Sequence, residues 1–175
     1  MSYLRLESDP FQLTGSVDQE SGPPVYRLAR GETYGARPET LPFRFSYSGT
    51  LCAYYSGECL MSRALVDALR ESGVDNIEVF PAVLVDSSTA EERDDYCVVN
   101  VVGKVAAADM KRSDGISLGD KQVFTKLTVD AKKAKDLLMF RLAESLVDVI
   151  VHEKVAKAIA ARQLRAVALS PVTAE

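Results

Sequence analysis

Few residues of this chain are suited to covalent or acid–base chemistry. Histidine is the usual general base near neutral pH, and the sequence contains one, His152. It stands between Val151 and Glu153, where the pattern changes from a strand to a helix. Because polar side chains at such junctions often cap the helix, we interpret His152 as a capping or surface residue.

The cysteines offer a second kind of chemistry. Cys52, Cys59 and Cys97 are odd in number and lack the CxxC spacing of a redox or zinc pair, so they are predicted to be reduced thiols. Cys59 stands near the start of a predicted helix, whose N-terminus can lower the pKa of a thiol. One hypothesis is therefore an enzyme that uses Cys59 or carboxylates, with His152 brought to the thiol by folding.

No motif for metal or phosphate binding accompanies these residues. The glycines of segment 115–119 are not followed by the Lys-Ser or Lys-Thr pair of a phosphate-binding loop, so the segment is interpreted as a flexible loop. Asp109, Asp114 and Asp120 are spaced too loosely for a calcium loop, which needs acidic ligands at alternate positions. The sequence therefore predicts no catalytic residue, no metal and no cofactor.

An acidic run between residues 86 and 95 is the strongest candidate for a functional surface. Its predicted partner-binding residues are Asp86, Glu91, Glu92, Asp94 and Asp95. Only Arg93 opposes them. Because the run falls on a predicted hairpin loop, Ser87 to Asp94, the carboxylates would project from a rigid base toward a basic protein such as a nuclease. The alternative is a solvated loop without a partner.

Basic residues gather toward the C-terminal third of the chain. They are Lys132, Lys133, Lys135, Lys154, Lys157, Arg162 and Arg165. Nucleic-acid binding would favour aromatic side chains among them, and none occurs from Arg141 onward. The formal net charge of -4 also differs from that of a basic nucleic-acid-binding domain. We interpret these residues as a solvated face and expect no direct contact with nucleic acid.

Apolar periodicity predicts an α+β fold with one longer and one shorter helix. Leucine and alanine recur at helical spacing over 58–72. Ser56 or Ser62 would cap this helix, and Gly73 fits the position after its last turn. A short C-terminal helix is predicted over 153–163, with apolar residues on one face.

The strands predict a mixed, mainly antiparallel sheet. β-branched runs indicate strands over 77–86 and 95–103, paired as a hairpin. Pro81 removes a hydrogen-bond donor and is expected at an edge position or a bulge. Further strands are predicted over 123–130 and 166–169, the last stopped by a Ser-Pro pair.

The chain is predicted to form a single domain over 1–175. Its length and its 47% content of apolar residues suit one core. Residues 1–57 are turn-rich, with a short strand at 3–6, and residues 58–171 form the α+β core without a visible internal repeat. No apolar run approaches the ~18 residues of a membrane span, and the N-terminus lacks a signal peptide. A cytoplasmic location is expected.

An ordered set of short motifs in the C-terminal half carries a family resemblance. In chain order they are Tyr-Cys-Val-Val-Asn-Val-Val at 96–102, Ala-Asp-Met at 108–110 with Ser113, Leu-Met-Phe-Arg-Leu at 138–142, Val-Ile-Val-His-Glu at 149–153, and Leu-Arg-Ala-Val-Ala-Leu-Ser-Pro at 164–171. Over about residues 76–171 the chain resembles the eleventh family of immunity proteins from bacterial polymorphic-toxin systems. It departs from that family at His152, where a small serine is usual, and at Arg165-Ala166, where glycine is common.

The resemblance implies a protein that protects its producer by binding a cognate toxin, in many cases a nuclease, without catalytic residues of its own. Two other hypotheses stay open. One is an adaptor or self-assembling structural module of a secretion or surface system, and the other is the cysteine- or carboxylate-dependent enzyme. A homodimer is compatible with each of them.

Overall fold

The computed structural model describes residues 2–9, 11–12, 15–31, 33, 39–46, 51–145 and 147–174. The helices in these ranges are α1 (Arg63–Glu71), α2 (Ala131–Ala134) and α3 (Glu153–Ala161), with a 3-10 helix over Val25–Arg30. The strands are β1 (Tyr3–Ser8), β2 (Ser16–Gln19), β3 (Leu41–Ser46), β4 (Tyr54–Tyr55), β5 (Leu60–Ser62), β6 (Ile77–Asp86), β7 (Glu92–Val101), β8 (Lys104–Val105), β9 (Asp114–Leu118), β10 (Lys121–Lys126), β11 (Thr128–Val129), β12 (Met139–Leu142), β13 (Val149–His152) and β14 (Val167–Ala174).

These strands form two six-stranded sheets and a separate hairpin. The first sheet has the order β11-β14-β1-β13-β12-β8, and the second has the order β2-β3-β6-β7-β5-β4. The hairpin consists of β9 and β10. The pairs β3–β6, β12–β8 and β11–β14 are parallel, and the other described ladders are antiparallel. The predicted α+β class with mixed, mainly antiparallel sheets is confirmed.

Helix α1 joins two strands of the second sheet that do not pair with each other. Both β5 and β6 run antiparallel to β7, which lies between them, so they are parallel to one another. Met61 and Pro81 pair with the same residue, Cys97. Parallel strands need such a crossover connection, and a helix usually supplies it.

Helix α3 makes the same connection in the first sheet. Both β13 and β14 run antiparallel to β1, and Val151 and Pro171 pair with the same residue, Leu4. The two strand–helix–strand units therefore have the same length and register, and the second follows the first by ninety residues along the chain. When segments 61–81 and 151–171 are aligned, only two positions are identical: Ala68 with Ala158, and Pro81 with Pro171. The repeat is thus structural and is not visible as sequence similarity.

The helices and the inner faces of both sheets share one hydrophobic cluster. It includes Leu65 and Leu69 from α1, Val155 and Ile159 from α3, and residues of the central strands of both sheets. Two further clusters cover the outer faces of the sheets. Strands covered on both faces are continuously apolar, which explains why the sequence of β7 was recognisable as a strand.

The first helix is shorter than predicted over 58–72. Residues 58–59 lie in a turn and residues 60–62 form β5. Ser62 is the cap, and its Oγ accepts a hydrogen bond from the Leu65 amide at 3.3 Å. The other candidate, Ser56, lies in a turn, where its amide donates to Ser8 Oγ at 2.8 Å. The predicted boundary was wrong because tertiary pairing with β7 extends the chain before the helix begins.

Pro81 and Pro171 occupy equivalent positions in the two units. At each of them the strand is paired with another described strand on one side only. The β3 ladder on β6 begins at Ala82, directly after Pro81. The β11 ladder on β14 begins at Thr173, after Pro171. Proline lacks an amide donor, so it is tolerated at such points. The predicted edge position of Pro81 is confirmed locally, although β6 is an interior strand. The prediction that a Ser-Pro pair stops the last strand was wrong.

The segment predicted to be a flexible loop, 115–119, belongs mostly to β9 and pairs with β10. A Cβ atom on Gly115 would clash with the Val123 carbonyl oxygen. Glycine is therefore required by close strand pairing there, not by flexibility. The strand predicted over 123–130 is divided into β10 and β11.

Substitutions at the residues that follow α1 and α3 are expected to change the free energy of unfolding in opposite directions. Gly73 and Gln163 occupy equivalent positions with positive φ values of 99° and 49°, and Gln163 is exposed. A side chain in this region costs about 1–2 kcal/mol, partly offset by the entropy of glycine. We expect Gln163→Gly to raise the free energy of unfolding by about 0.5–1 kcal/mol and Gly73→Ala to lower it by about 1 kcal/mol in urea titrations. Destabilisation by both changes would contradict this.

Candidate functional site

The five predicted partner-binding carboxylates lie where β6 turns into β7. Asp86 is the last residue of β6, and Glu91 ends the connection. Glu92, Asp94 and Asp95 belong to β7 itself. The predicted hairpin is confirmed, but its loop spans residues 87–91 and not 87–94. Of these, Glu92 pairs with Val85, whereas Asp94 and Asp95 lie in the irregular stretch of β7 between Arg93 and Tyr96.

Asp86 has a local structural role in addition to its charge. Its Oδ1 accepts hydrogen bonds from Ser88 Oγ at 2.6 Å, from the Ser88 amide at 2.7 Å and from the Thr89 amide at 3.2 Å. These bonds, with the Ser88 hydroxyl first, lower the pKa of Asp86. An aspartate that accepts from the amides following it closes a turn, and this accounts for the short connection.

A bulge in β7 orients the next group of charges. Ala82 pairs with Tyr96, whereas Leu84 pairs with Arg93, so β7 has one residue more than β6 in this stretch. Inside the bulge, Arg93 donates to Asp95 through Nε at 3.0 Å and Nη2 at 2.6 Å. These hydrogen bonds lower the pKa of Asp95. Both Arg93 hydrogen bonds thus go to Asp95.

The three other carboxylates face solvent. Glu91, Glu92 and Asp94 are exposed, and their side chains make no hydrogen bond or ion pair with another residue in the described part of the chain. The backbone beneath them is held in place, because Arg63 Nη2 donates to the Asp94 carbonyl oxygen at 2.7 Å. These three are the carboxylates most accessible to a partner.

We call residues 86–95 the acidic end, because they contain the negative surplus of the whole chain. They include five acidic residues and one basic residue, a net charge of -4. The complete chain has 25 acidic and 21 basic residues, also a net charge of -4, so the remaining twenty of each sign cancel. A charge concentrated at one end produces a directed field that attracts a basic partner.

Cys59 and His152, the two residues of the enzyme hypothesis, contact different groups. Cys59 is buried before β5 and not at the helix start, and Arg141 Nη2 donates to its Sγ at 3.6 Å. Burial raises the pKa of Cys59, which disfavours a thiolate. His152 Nδ1 accepts from the Lys154 amide at 3.1 Å as the N-cap of α3. The predicted capping role of His152 is confirmed.

One exposed surface was not predicted from the sequence. Ile116, Leu118 and Val123 of the β9–β10 hairpin are 66%, 54% and 42% exposed. Their signal was the alternation Gly-Ile-Ser-Leu-Gly, which is typical of a half-exposed strand. The glycines at both ends of this segment are typical of a loop, which masks the strand pattern in the sequence.

The basic residues of α3 are mostly in contact with solvent. Lys154, Lys157 and Arg162 are exposed, and Arg162 Nη2 forms an ion pair with Glu71 Oε2 at 2.6 Å. Within the described ranges, no group of three or more His, Cys, Asp or Glu side chains is arranged to hold a metal ion. None of the helices described there has the length and apolar character to cross a membrane.

The described chain has two sheets that pack around one hydrophobic cluster, and its charge surplus lies on one hairpin. Comparison with known families identifies it further. The model of the immunity protein family (Imm11) matches residues 15–174, and the chain belongs to this family. A search of curated proteins gave no match. The resemblance found over 76–171 is confirmed, and it extends into the turn-rich N-terminal part, where no motif was recognised.

Thiol accessibility tests the remaining enzyme hypothesis. Cys52, Cys59 and Cys97 are buried, and burial raises the pKa of Cys59 and of Cys97. We expect no thiol of the native chain to react within minutes with DTNB at pH 8, and all of them to react in guanidinium chloride. Rapid modification of Cys59 in the folded chain would contradict the assignment of a buried, inert thiol.

Titration of Asp95 tests the bulge geometry. Because its pKa is lowered in the folded state, its contribution to stability is present above the unfolded value of about 3.9. That contribution is lost as the pH falls through the lower folded value. We expect Arg93→Met to raise the Asp95 pKa toward its ordinary range in an NMR carboxyl titration. Arg112→Met, which removes an ion pair with Asp109, is the control and should leave it unchanged.

Proposed function

We propose that this chain is an immunity protein that binds and neutralises a cognate toxin through its acidic end. Membership of the immunity protein family supports the toxin-immunity function. The observation that supports the surface is the net charge of -4 within residues 86–95. The proposed contact residues are Asp86, Glu91, Glu92, Asp94 and Asp95. We infer that the protein acts in the cytoplasm of the producing cell.

The charge of the acidic end indicates the kind of toxin. Enzymes that act on nucleic acids have basic surfaces that bind phosphates, so we infer a nuclease. The exposed carboxylates of Glu91, Glu92 and Asp94 would occupy positions that phosphates otherwise take. In this mode the chain binds the toxin directly, contacts no nucleic acid and performs no catalysis.

The local bonding of the acidic end favours binding without rearrangement. The Asp86 turn and the Arg93–Asp95 pair fix the backbone on both sides of the exposed carboxylates. Less conformational entropy is lost on binding when a surface is already ordered. The complementary charges also raise the association rate, which matters for an inhibitor that must act before the toxin does.

An adaptor or self-assembling module is the second hypothesis, and the exposed apolar strand β9 favours it. A titration of toxin activity separates the two. With the toxin encoded beside this gene as the probe, we expect a stable complex and loss of activity that is complete at an equimolar ratio. Protection at far lower ratios would indicate catalysis. Absence of a complex at micromolar concentrations would contradict the immunity function.

Charge reversal tests the acidic end itself. We expect Glu91→Lys, Glu92→Lys and Asp94→Lys together to lower toxin affinity at least about tenfold, mainly through slower association, and to weaken its salt dependence. The matched control reverses three exposed aspartates elsewhere: Asp18, Asp67 and Asp75. Surface plasmon resonance at two salt concentrations provides the measurement. Equal losses in both triple variants would mean that only net charge matters and would refute the proposed surface.

A further inference from the structure

The β9–β10 hairpin concentrates the exposed apolar side chains of this protein. Eight large apolar residues are exposed in the described part of the chain, and three of them belong to the hairpin: Ile116, Leu118 and Val123. Scattered exposed apolar residues are normal, but a contiguous group usually marks an interaction site. The hairpin is also separate from the acidic end, so the proposed toxin contact does not account for it.

Strand register divides the hairpin into an anchored face and an outward face. Ile116 pairs with Val123 and lies on the same side of β9 as Leu118, so these three apolar side chains share the outward face. On the opposite face, Phe124 is buried in the cluster that covers the first sheet. The Gln122 amide also donates to the Glu144 carbonyl oxygen at 2.8 Å. The hairpin is therefore fixed to the body, with its apolar row directed away from it.

Strand β9 also presents an open edge. It pairs with β10 on one side, and no other strand of the described residues pairs with it. Edge strands are normally protected from pairing by lysine, proline or an inward-pointing charge. The residues from Gly115 to Leu118 include none of these. An unprotected edge next to an apolar row is suited to pairing with another strand.

We propose that two copies of this chain associate by antiparallel pairing of their β9 strands about a two-fold axis at Ile116. Ile116 is the middle residue of β9, so this register pairs the strand over its full length. It aligns Val123 and Ile116 of one copy with Ile116 and Val123 of the other in one continuous apolar row. An interface of this kind is self-complementary, as a two-fold dimer requires.

The charges at the ends of β9 favour this arrangement. Asp114 lies opposite Leu118 of the second copy, so the two Asp114 side chains are four residues, or about 13 Å, apart along the strands. That distance exceeds the screening length of about 8 Å at physiological salt. Within its own hairpin, Asp114 pairs with Lys126. On its other side lies Leu118 of the second copy, which pairs in turn with Lys121 of that copy. Lys121 also forms an ion pair with Asp120 of its own copy at 3.2 Å. In this register no two like charges of β9 lie directly opposite each other across the interface.

The size of this surface sets the strength of association. One five-residue strand and a few side chains per copy bury less than the roughly 1,200 Å² of a stable interface. We therefore expect a weak dimer, with a Kd on the order of 100 µM, and not a permanent one. Because this association involves the chain alone, it can be tested without the toxin and independently of the proposed function.

Disulfide trapping tests both the pairing and its register. In the proposed dimer, residue 116 faces its own copy with Cβ atoms about 5 Å apart, near the distance for a disulfide. We expect Ile116→Cys at 100 µM to form covalent dimers at least tenfold faster than Asp120→Cys under copper-phenanthroline oxidation. Asp120 is a more accessible control at the hairpin turn, with an 86% exposed side chain. The native cysteines are buried and do not interfere.

Sedimentation velocity provides the second measurement. The native chain should shift from monomer toward dimer between about 10 and 500 µM. Ile116→Lys should stay monomeric, and Val147→Lys, a change at another exposed apolar residue, should still associate. Circular dichroism confirms folding of each variant. Equal trapping rates for the two cysteine variants, or a native chain that stays monomeric at 500 µM, would overturn the proposal. A monomeric native chain whose toxin binding is lost in Ile116→Lys would assign this face to the toxin instead.

Discussion

Helices α1 and α3 pack in one hydrophobic cluster with the inner faces of both sheets, and the rest of the structure is arranged around this contact. Each helix is the crossover of one sheet, so their packing brings the two strand–helix–strand units together. Arg141 adds a polar contact between the sheets, from β12 to the Cys59 thiol beside β5. Loss of large side chains here would affect both sheets at once, because neither has a separate inner core.

The central contact leaves the ends of the sheets available for function. The acidic end extends from the second sheet, where the bulge in β7 and the turn at Asp86 position its carboxylates. The hairpin β9–β10 is anchored on the first sheet through Phe124 and Gln122. The two surfaces share no residue, and each is backed by ordered strands. The chain therefore presents a charged surface and an apolar edge that do not overlap.

Electrostatics and packing have different roles in this protein. The buried residues are mostly apolar and specify the fold, whereas the charge surplus is confined to ten residues at one hairpin. Charges outside the acidic end balance and form local pairs such as Arg162 with Glu71. The net charge of the molecule therefore depends on a surface that contributes little to the core, so this surface can vary without loss of the fold.

The sequence by itself determined the elements whose pattern is strong and local. The apolar run of β7, the spacing in α1 and α3, the cap at His152 and the acidic run were all recognisable because residue type and period suffice for them. Tertiary structure decided what depends on distant pairing. Ser62, and not Ser56, caps α1 because β5 pairs with β7 first. Gly115 belongs to a strand because Val123 approaches it closely. The structural repeat depends on shared register, which two nearly unrelated sequences satisfy through hydrophobic pattern alone.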